Sequence, residues 1–416
     1  MYVEKLDLEN IRTFTGGKGL TFVHPDLDFR LLLANSPDKQ LRLPKPRLPN
    51  VTLLLGDNGS GKTTVLRAIA AAAFGPAAKD LLRDSSLIRF GESTGRIFAN
   101  LRLHEQDHAP GEVIETDLEL QRKGERLEIQ VGSPQYEQLW APVYESQNDA
   151  FFVVGYGATR RIERLDRYDS GARTQARATR DLRVWSLFED SFSLIPLGSW
   201  LPHLQKSNPG RYKQVVHLLD KLLAPGNYRF SGKQDKQGDY LFLRGEMPVP
   251  FQSLSDGYRA FTGWVADLLF HVCYGCPSGK MLVEHCGLVM VDEIDLHLHP
   301  KWQMQVIQTV SRTLPKMQFV FTSHSPLVAG SLEWMNIITL KVGAKTNRTV
   351  AKRLRQSIHG LDADQILLTD FFGLKTTMAP TKRRQLADIT ARIRSGDKNA
   401  PLQLIREMST GTEVEG

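Results

Sequence analysis

Cysteine is scarce: Cys273, Cys276 and Cys286 are the three in a chain of 416 residues. So small and odd a number excludes a disulfide framework as the source of stability and fits a reducing compartment. Long apolar runs are missing as well. Val51–Leu55 and Gly287–Val291 are five residues each, far short of the ~20 that a membrane-spanning helix needs. The opening Met1-Tyr-Val-Glu-Lys-Leu-Asp is charged from the start and has no apolar stretch of the signal-peptide kind. The expectation is a cytoplasmic protein with no membrane partner. There is no internal repeat and no heptad run long enough for a coiled coil. Charge of one sign does not dominate: 53 Lys and Arg face 46 Asp and Glu, a net +7. That surplus permits nucleic-acid binding without requiring it. Hydrophobic content of 41% and charged content of 24% are ordinary for a globular chain. At this length a core can bury roughly three quarters of the unfolded surface, so no staples are needed.

Against this plain background one segment carries chemistry. Val51-Thr-Leu-Leu-Leu reads as a buried strand, and Gly56-Asp-Asn58-Gly59-Ser60-Gly61-Lys62-Thr63-Thr64 follows it directly. Val65 to Phe74 is helix-forming and ends at Gly75-Pro76. Strand, glycine-rich loop ending in Gly-Lys-Thr, and helix together make a P-loop. Glycines let consecutive backbone N–H groups turn inward around phosphates, and the helix points its positive end at the same anion. The spacing therefore predicts ATP held by Asn58, Gly59, Ser60, Gly61, Lys62, Thr63 and Thr64. Lys62 reaches the terminal phosphates and the Thr63 hydroxyl takes a place on Mg²⁺.

Three further clusters supply partners. Gly287-Leu-Val-Met-Val is a buried-strand run ending in Asp292-Glu293. Sheets of this type place chemistry at the carboxyl ends of strands; Asp292 is predicted to face the metal and Glu293 to act as general base on water. Leu254-Ser255-Asp256-Gly257 opens a helix expected over 256–273. Free N–H groups and a hydroxyl there suit an anion, though Ser255 or Asp256 equally serves as an ordinary N-cap. Gln318-Phe-Val-Phe-Thr322-Ser323-His324 is again a strand ending in polar residues. His324 is placed either to read a terminal phosphate or as a structural histidine. Arg160 or Arg161, after the apolar run 150–154, are further groups that could approach nucleotide. Cys273-x-x-Cys276 with His271, His285 and Cys286 invites a zinc reading, but no second pair has finger spacing.

In this order the four motifs resemble those of the ATP-binding-cassette ATPases, in the branch of Rad50, the SMC proteins, RecF and the OLD-type ATPases. Leu254-Ser255-Asp256-Gly257 looks like the signature loop, Asp292-Glu293-Ile-Asp-Leu-His-Leu-His-Pro300 like an extended Walker B, and His324 like the switch histidine. The resemblance implies an α/β P-loop head with a mixed central sheet, an antiparallel β lobe and a helical insert. It also implies a homodimer or higher homo-oligomer joined through its ATP sites. Ser255 and Gly257 of one protomer would then cap nucleotide held by Lys62 and Thr63 of the other. His299 stands where the branch's D-loop usually carries Asp, and Gln147 is a poor match for the Q-loop position.

Ser255 follows Lys62 by 193 residues, a longer interval than transport cassettes have. The residues between hold no coiled coil. The domains are expected at 1–335 for the head, with 156–250 as an Arg-rich and helical insert, and 336–416 as a small basic region that binds a partner. Ile358-His-Gly to Phe372-Gly-Leu resembles a segment of stand-alone cassette ATPases, including Septu-type antiphage ATPases that work with a separate nuclease. The expected function is thus an ATP-gated switch acting on a separate effector, a nuclease, in antiphage defence. A RecF-like DNA-repair ATPase and a nucleotide-binding scaffold without turnover are the alternatives. For nucleic acid, residues 160–183 hold eight arginines against four acids, a segment suited to phosphates or to a partner protein's acids.

Overall fold

The structure is a computed structural model that describes residues 1–17, 19–28, 45–82, 85–124, 126–132, 140–145, 151–162, 180–236, 238–344 and 346–409. It divides into two compact units, Met1–Leu361 and Asp362–Gly416.

In the first unit the strands are β1 (Tyr2–Glu9), β2 (Leu20–Thr21), β3 (Val51–Gly56), β4 (Thr94–Arg102), β5 (Val113–Lys123), β6 (Arg126–Val131), β7 (Val153–Tyr156), β8 (Arg161–Ile162) and β9 (Ser193–Leu194). They continue with β10 (Arg229–Gln234), β11 (Tyr240–Arg244), β12 (Met247–Pro250), β13 (Gly287–Val291), β14 (Met317–Ser323), β15 (Ile337–Val342) and β16 (Thr349–Lys352). The helices are α1 (Lys62–Phe74), α2 (Leu197–Ser207), α3 (Pro209–Leu223), α4 (Asp256–Gly275), α5 (Pro300–Gln303), α6 (Val306–Thr313) and α7 (Pro326–Gly330).

The central sheet runs β16-β15-β3-β14-β13-β7. All its pairs are parallel except β15 with β16. Its inner strands read as unbroken apolar runs because both faces are covered, as parallel sheets require; β13 and β14 are buried at every residue. The second sheet, β2-β1-β4-β5-β6, is antiparallel. Its β4 and β5 alternate buried with less buried residues, the mark of a sheet with one face on the core. The alanine-rich α1 belongs to the core shared by β1, β4 and β5 on one side and Leu54, Val153, Leu288 and Val320 of the central sheet on the other. Gln318 stitches the two sheets: its side-chain oxygen accepts from Val3 N at 2.8 Å, and its nitrogen donates to Val3 O at 2.8 Å and Val23 O at 3.0 Å. The mixed central sheet, the antiparallel lobe and helices between β9 and β13 are the architecture expected from the sequence.

Three details differ from the sequence reading. Residues 300–313, which begin with Pro300 and read from sequence as one helix, are broken into α5 and α6, with Gln305 N bonded to Trp302 O at 2.9 Å in the tighter three-residue pattern. The break leaves Gln303 free to donate to Asp295 O at 3.4 Å and Leu298 O at 2.9 Å. The head also runs past residue 335. β15 pairs with β3 and β16 with β15, and the first unit closes at Leu361. Finally, at the described end of the arginine-rich segment two arginines meet groups of their own chain and not an outside partner. Arg180 donates to Tyr144 O and lies over the Tyr144 and Phe151 rings, and Arg183 lies over Phe152. Arg353, counted from sequence among the C-terminal basic residues, donates to Met335 O and to Thr21 O. Arg164, Arg167, Arg173 and Arg177 fall outside the described residues, as does Gln147.

The second unit holds α8 (Ala363–Leu367), α9 (Pro380–Arg394) and α10 (Ala400–Ser409), with Lys382 of α9 ion-paired to Glu407 of α10. Among the described residues no helix is long and apolar enough to cross a membrane.

Candidate nucleotide site

Parallel pairing puts the carboxyl ends of β3, β13, β14 and β7 on one edge, and each end delivers a functional group there. From β3 comes the P-loop. Its last residue, Gly61, caps α1 in a left-handed conformation with φ 94°. A Cβ at this position would lie 2.6 Å from the Phe14 ring, so glycine is demanded twice, by the backbone and by the neighbour. No acidic side chain stands in the first turn of α1 and no side chain caps it. Its N–H groups and dipole are left for an anion. Asn58 and Gly59 are exposed at the loop tip, while Ser60 and Thr64 are buried.

Lys62 is 6% exposed, and its ammonium donates to Gly56 O at 2.7 Å and Asp57 O at 3.0 Å. Burial pushes its pKa down; Asp292, Glu293, Asp57 and Asp295 oppose that shift. A positive charge is thus held at the loop by carbonyls and by a ring of acids, already out of water.

The end of β13 meets the P-loop directly. The Thr63 hydroxyl donates to Asp292 Oδ2 at 2.7 Å, and Thr322 of β14 donates to Asp292 Oδ1 at 2.5 Å. Thr322 Oγ1 also accepts from Glu293 N at 2.7 Å. Glu293 itself takes φ 48°, a region costly for a residue with a Cβ and one that clusters at functional sites. Its carboxylate has no hydrogen-bond partner among the described residues, so a proton acceptor stands free beside the Asp292–Thr63 pair. An alcohol and a carboxylate in contact are the hard oxygen donors that Mg²⁺ takes, so the residues fit that ion as well as they fit a triphosphate.

His324 follows β14; its side chain is 49% exposed, with Nε2 3.8 Å from Asp295 Oδ2. Asp295 is 7% exposed and its other oxygen has no partner among the described residues. Ser325 Oγ donates to Gln303 Oε1 at 2.7 Å, which ties the histidine's neighbour to the turn after β13. His299, at the departed D-loop position, caps α5 by accepting from Lys301 N at 3.3 Å.

The structure joins Lys62, Thr63, Asp292 and Glu293, with His324 at the rim. Ser255 and Gly257 are not tied to this cluster by any hydrogen bond among the described residues. Ser255 is exposed at the start of α4 and makes no side-chain cap bond. Gly257 packs against His297, whose carbonyl oxygen would lie 2.1 Å from a Cβ there. Trp302 of α5 lies 4.4 Å, ring to ring, from both Tyr258 and Phe261 of α4.

Sequence reasoning missed Thr322, Asp295 and Gln303 as participants and left Arg160 undecided. Arg160 leaves β7 and is 7% exposed, and its guanidinium donates to Glu293 O at 2.8 Å. Burial lowers its pKa to about 10 against the pull of Asp292, Asp295 and Glu293. Arg161 is exposed. The three cysteines are buried; Cys273 and Cys276 offer their carbonyls to Arg211, and burial raises the Cys273 and Cys286 thiols to about 11.

Fold and site define a P-loop nucleotide-binding domain of the α/β class. The chain belongs to the AAA_21 family, "AAA domain, putative AbiEii toxin, Type IV TA system", matched over residues 51–330. It is similar to the Septu protein PtuA of Bacillus mycoides (strain KBAB4), 23% identical over 331 residues that cover 78% of this chain and 41% of that protein. A second relative is the Retron Ec83 probable ATPase of Escherichia coli, 33% identical over 107 residues, or 26% of this chain and 20% of that one. Among solved structures it resembles an SMC head bound to the C-winged helix domain of ScpA, with a TM-score of 0.49 and 14% identity over 85% of this chain and 98% of that one. The chain spans about half or less of the length of the Septu and retron relatives it matches.

Proposed function

We propose that this chain is a Mg²⁺-dependent ATPase that closes into a homodimer around ATP and so switches a separate effector, a nuclease, in antiphage defence. The observation that carries the reading is the contact between Thr63 and Asp292 at 2.7 Å. It joins the P-loop to the acid-ended strand beside a free Glu293 carboxylate. When bound, Mg²⁺ supplies charge neutralisation at the terminal phosphates. Lys62 and the free N–H groups of α1 grip the phosphates. Asp292, fixed on both oxygens by Thr63 and Thr322, holds the metal's place, and Glu293 takes the proton from water. His324, oriented by Asp295, faces the terminal phosphate from the rim.

Two features support closure in trans. Ser255 and the uncapped start of α4 are exposed and share no hydrogen bond with the P-loop of their own chain among the described residues. The 20-residue α4 has no side-chain cap bond, and the Asp256 carboxylate in its first turn is exposed and paired to Arg259, so its N-terminal N–H groups remain open to an anion, and a second protomer's nucleotide is what this reading assigns to them. The names of the relatives, Septu and retron, support a place in defence.

The test is Ser255→Arg. The large cation obstructs the cap without touching the P-loop. ATP affinity measured by calorimetry should stay within about threefold, because the phosphate contacts of Lys62 and α1 remain. Turnover should fall by about 100-fold or more, the loss expected when a positioned anion donor is removed from the transition state. Unchanged turnover would remove Ser255 from the site.

A further inference from the structure

We infer that Arg160 contacts the terminal phosphate of bound nucleoside triphosphate from within its own chain and positions Glu293 through the latter's carbonyl. This rests on the nucleotide reading above and adds a ligand group that none of the four motifs contains.

Placement comes first. β7 pairs with β13 in the register Tyr156 to Val291, and Asp292 N donates to Tyr156 O at 2.8 Å. Residues 157–160 therefore leave the sheet beside Asp292 and Glu293. Arg160 turns back into the site with φ 36°, a left-handed conformation that a bulky residue adopts only when its surroundings enforce it. The next residues run into β8, which pairs with β9.

Chemistry comes second. A guanidinium carries five N–H donors in a fixed fork. At 7% exposure, Arg160 uses one nitrogen, Nη2, on Glu293 O. No carboxylate lies within ion-pair distance of it among the described residues. Buried cations are almost always paired, since removing one from water without an anion is costly. Among the described residues no carboxylate bonds to Arg160, while Asp292, Asp295 and Glu293 stand near enough to hold its charge against burial, and its one bond is to the residue after the strand end that carries Asp292 beside Thr63. The planar fork suits phosphate oxygens as an ammonium does not. Lys62 sits at the P-loop, on the inner side of the phosphates. Arg160, tied to the base, lies on the side where hydrolysis takes place and so belongs with the terminal group.

The test compares two nucleotides that differ by that group, ADP and the non-hydrolysable triphosphate AMP-PNP, each with Mg²⁺. Affinities are measured by calorimetry on the full chain for wild type, Arg160→Met, Arg160→Lys and Lys62→Ala. Arg160→Met should lose about 10- to 100-fold in AMP-PNP affinity, the worth of one charged hydrogen-bonding group, with ADP affinity unchanged within about threefold. Arg160→Lys should recover part of the AMP-PNP loss, and Lys62→Ala should lose both nucleotides. Equal losses for ADP and AMP-PNP in Arg160→Met, or no loss for either, would overturn the inference while leaving the nucleotide site standing. If Arg160→Met does not fold, the ratio of the two affinities in Arg160→Lys decides in the same way. A wild-type chain that binds neither nucleotide would overturn the underlying reading itself.

Discussion

Replacing Lys62 with alanine should lower ATP affinity by about 100- to 1,000-fold while leaving the fold intact. The ammonium is set in advance at the mouth of the loop by Gly56 O at 2.7 Å and Asp57 O at 3.0 Å. It meets phosphate without a search through rotamers. Charged hydrogen bonds contribute about 1.5–3 kcal/mol each, and two of them amount to about 3–6 kcal/mol, the lower half of which matches a loss of about 100- to 1,000-fold. The effect on stability should be small for a reason visible in the free site. Burial pushes the Lys62 pKa down, so the empty fold already bears the cost of that charge. Calorimetric titration and the thermal midpoint separate the two effects. A variant that still binds ATP as the wild type does would remove Lys62 from the phosphate site.

The second large effect is expected at Glu293. Glutamine keeps the shape and both backbone anchors, Thr322 at 2.7 Å and Arg160 at 2.8 Å, and removes only the ability to accept a proton. Turnover should fall by about 100- to 10,000-fold, the usual worth of a positioned general base, with ATP affinity unchanged. Bound ATP then persists, and the closed homodimer should accumulate. Phosphate release reports the first outcome and light scattering with ATP the second. Hydrolysis at the wild-type rate would show that another group takes the proton.

Much of this site is legible in the sequence because its elements are local. Val51–Gly56 and Gly287–Val291 are apolar runs that end in residues unable to continue a strand's burial, and glycine, lysine and acid at such ends carry their chemistry with them. Other parts depend on register between distant strands. Thr322 serves Asp292 and Glu293 only because β14 lies between β3 and β13. Arg160 reaches Glu293 across 133 residues of sequence; Gly155-Tyr-Gly-Ala-Thr-Arg-Arg by itself does not tell which of its two arginines turns toward the site. The boundary expected at 335 failed to include β15 and β16 for the same reason, since β15 finds its partner in β3, with Ile337 opposite Leu53. Arg180, Arg183 and Arg353 looked like surface charge because composition does not reveal which carbonyl or ring a long side chain will meet. The split of α5 from α6 goes with bonds from Gln303 back to Asp295 O and Leu298 O, in the turn that follows β13, which a helical pattern over 300–313 does not reveal.

The central claim is geometric: the P-loop of one chain faces the start of α4 in another. It is tested by mixing two single-cysteine variants, Asn58→Cys at the exposed loop tip and Ser255→Cys at the exposed helix start. The native cysteines are buried and should stay silent toward a short bifunctional thiol reagent. With ATP and Mg²⁺ the mixture should yield a covalent pair made of one chain of each kind, and without nucleotide it should not. A chain carrying both substitutions that links only to itself, or a mixture in which ATP makes no difference, would contradict the account.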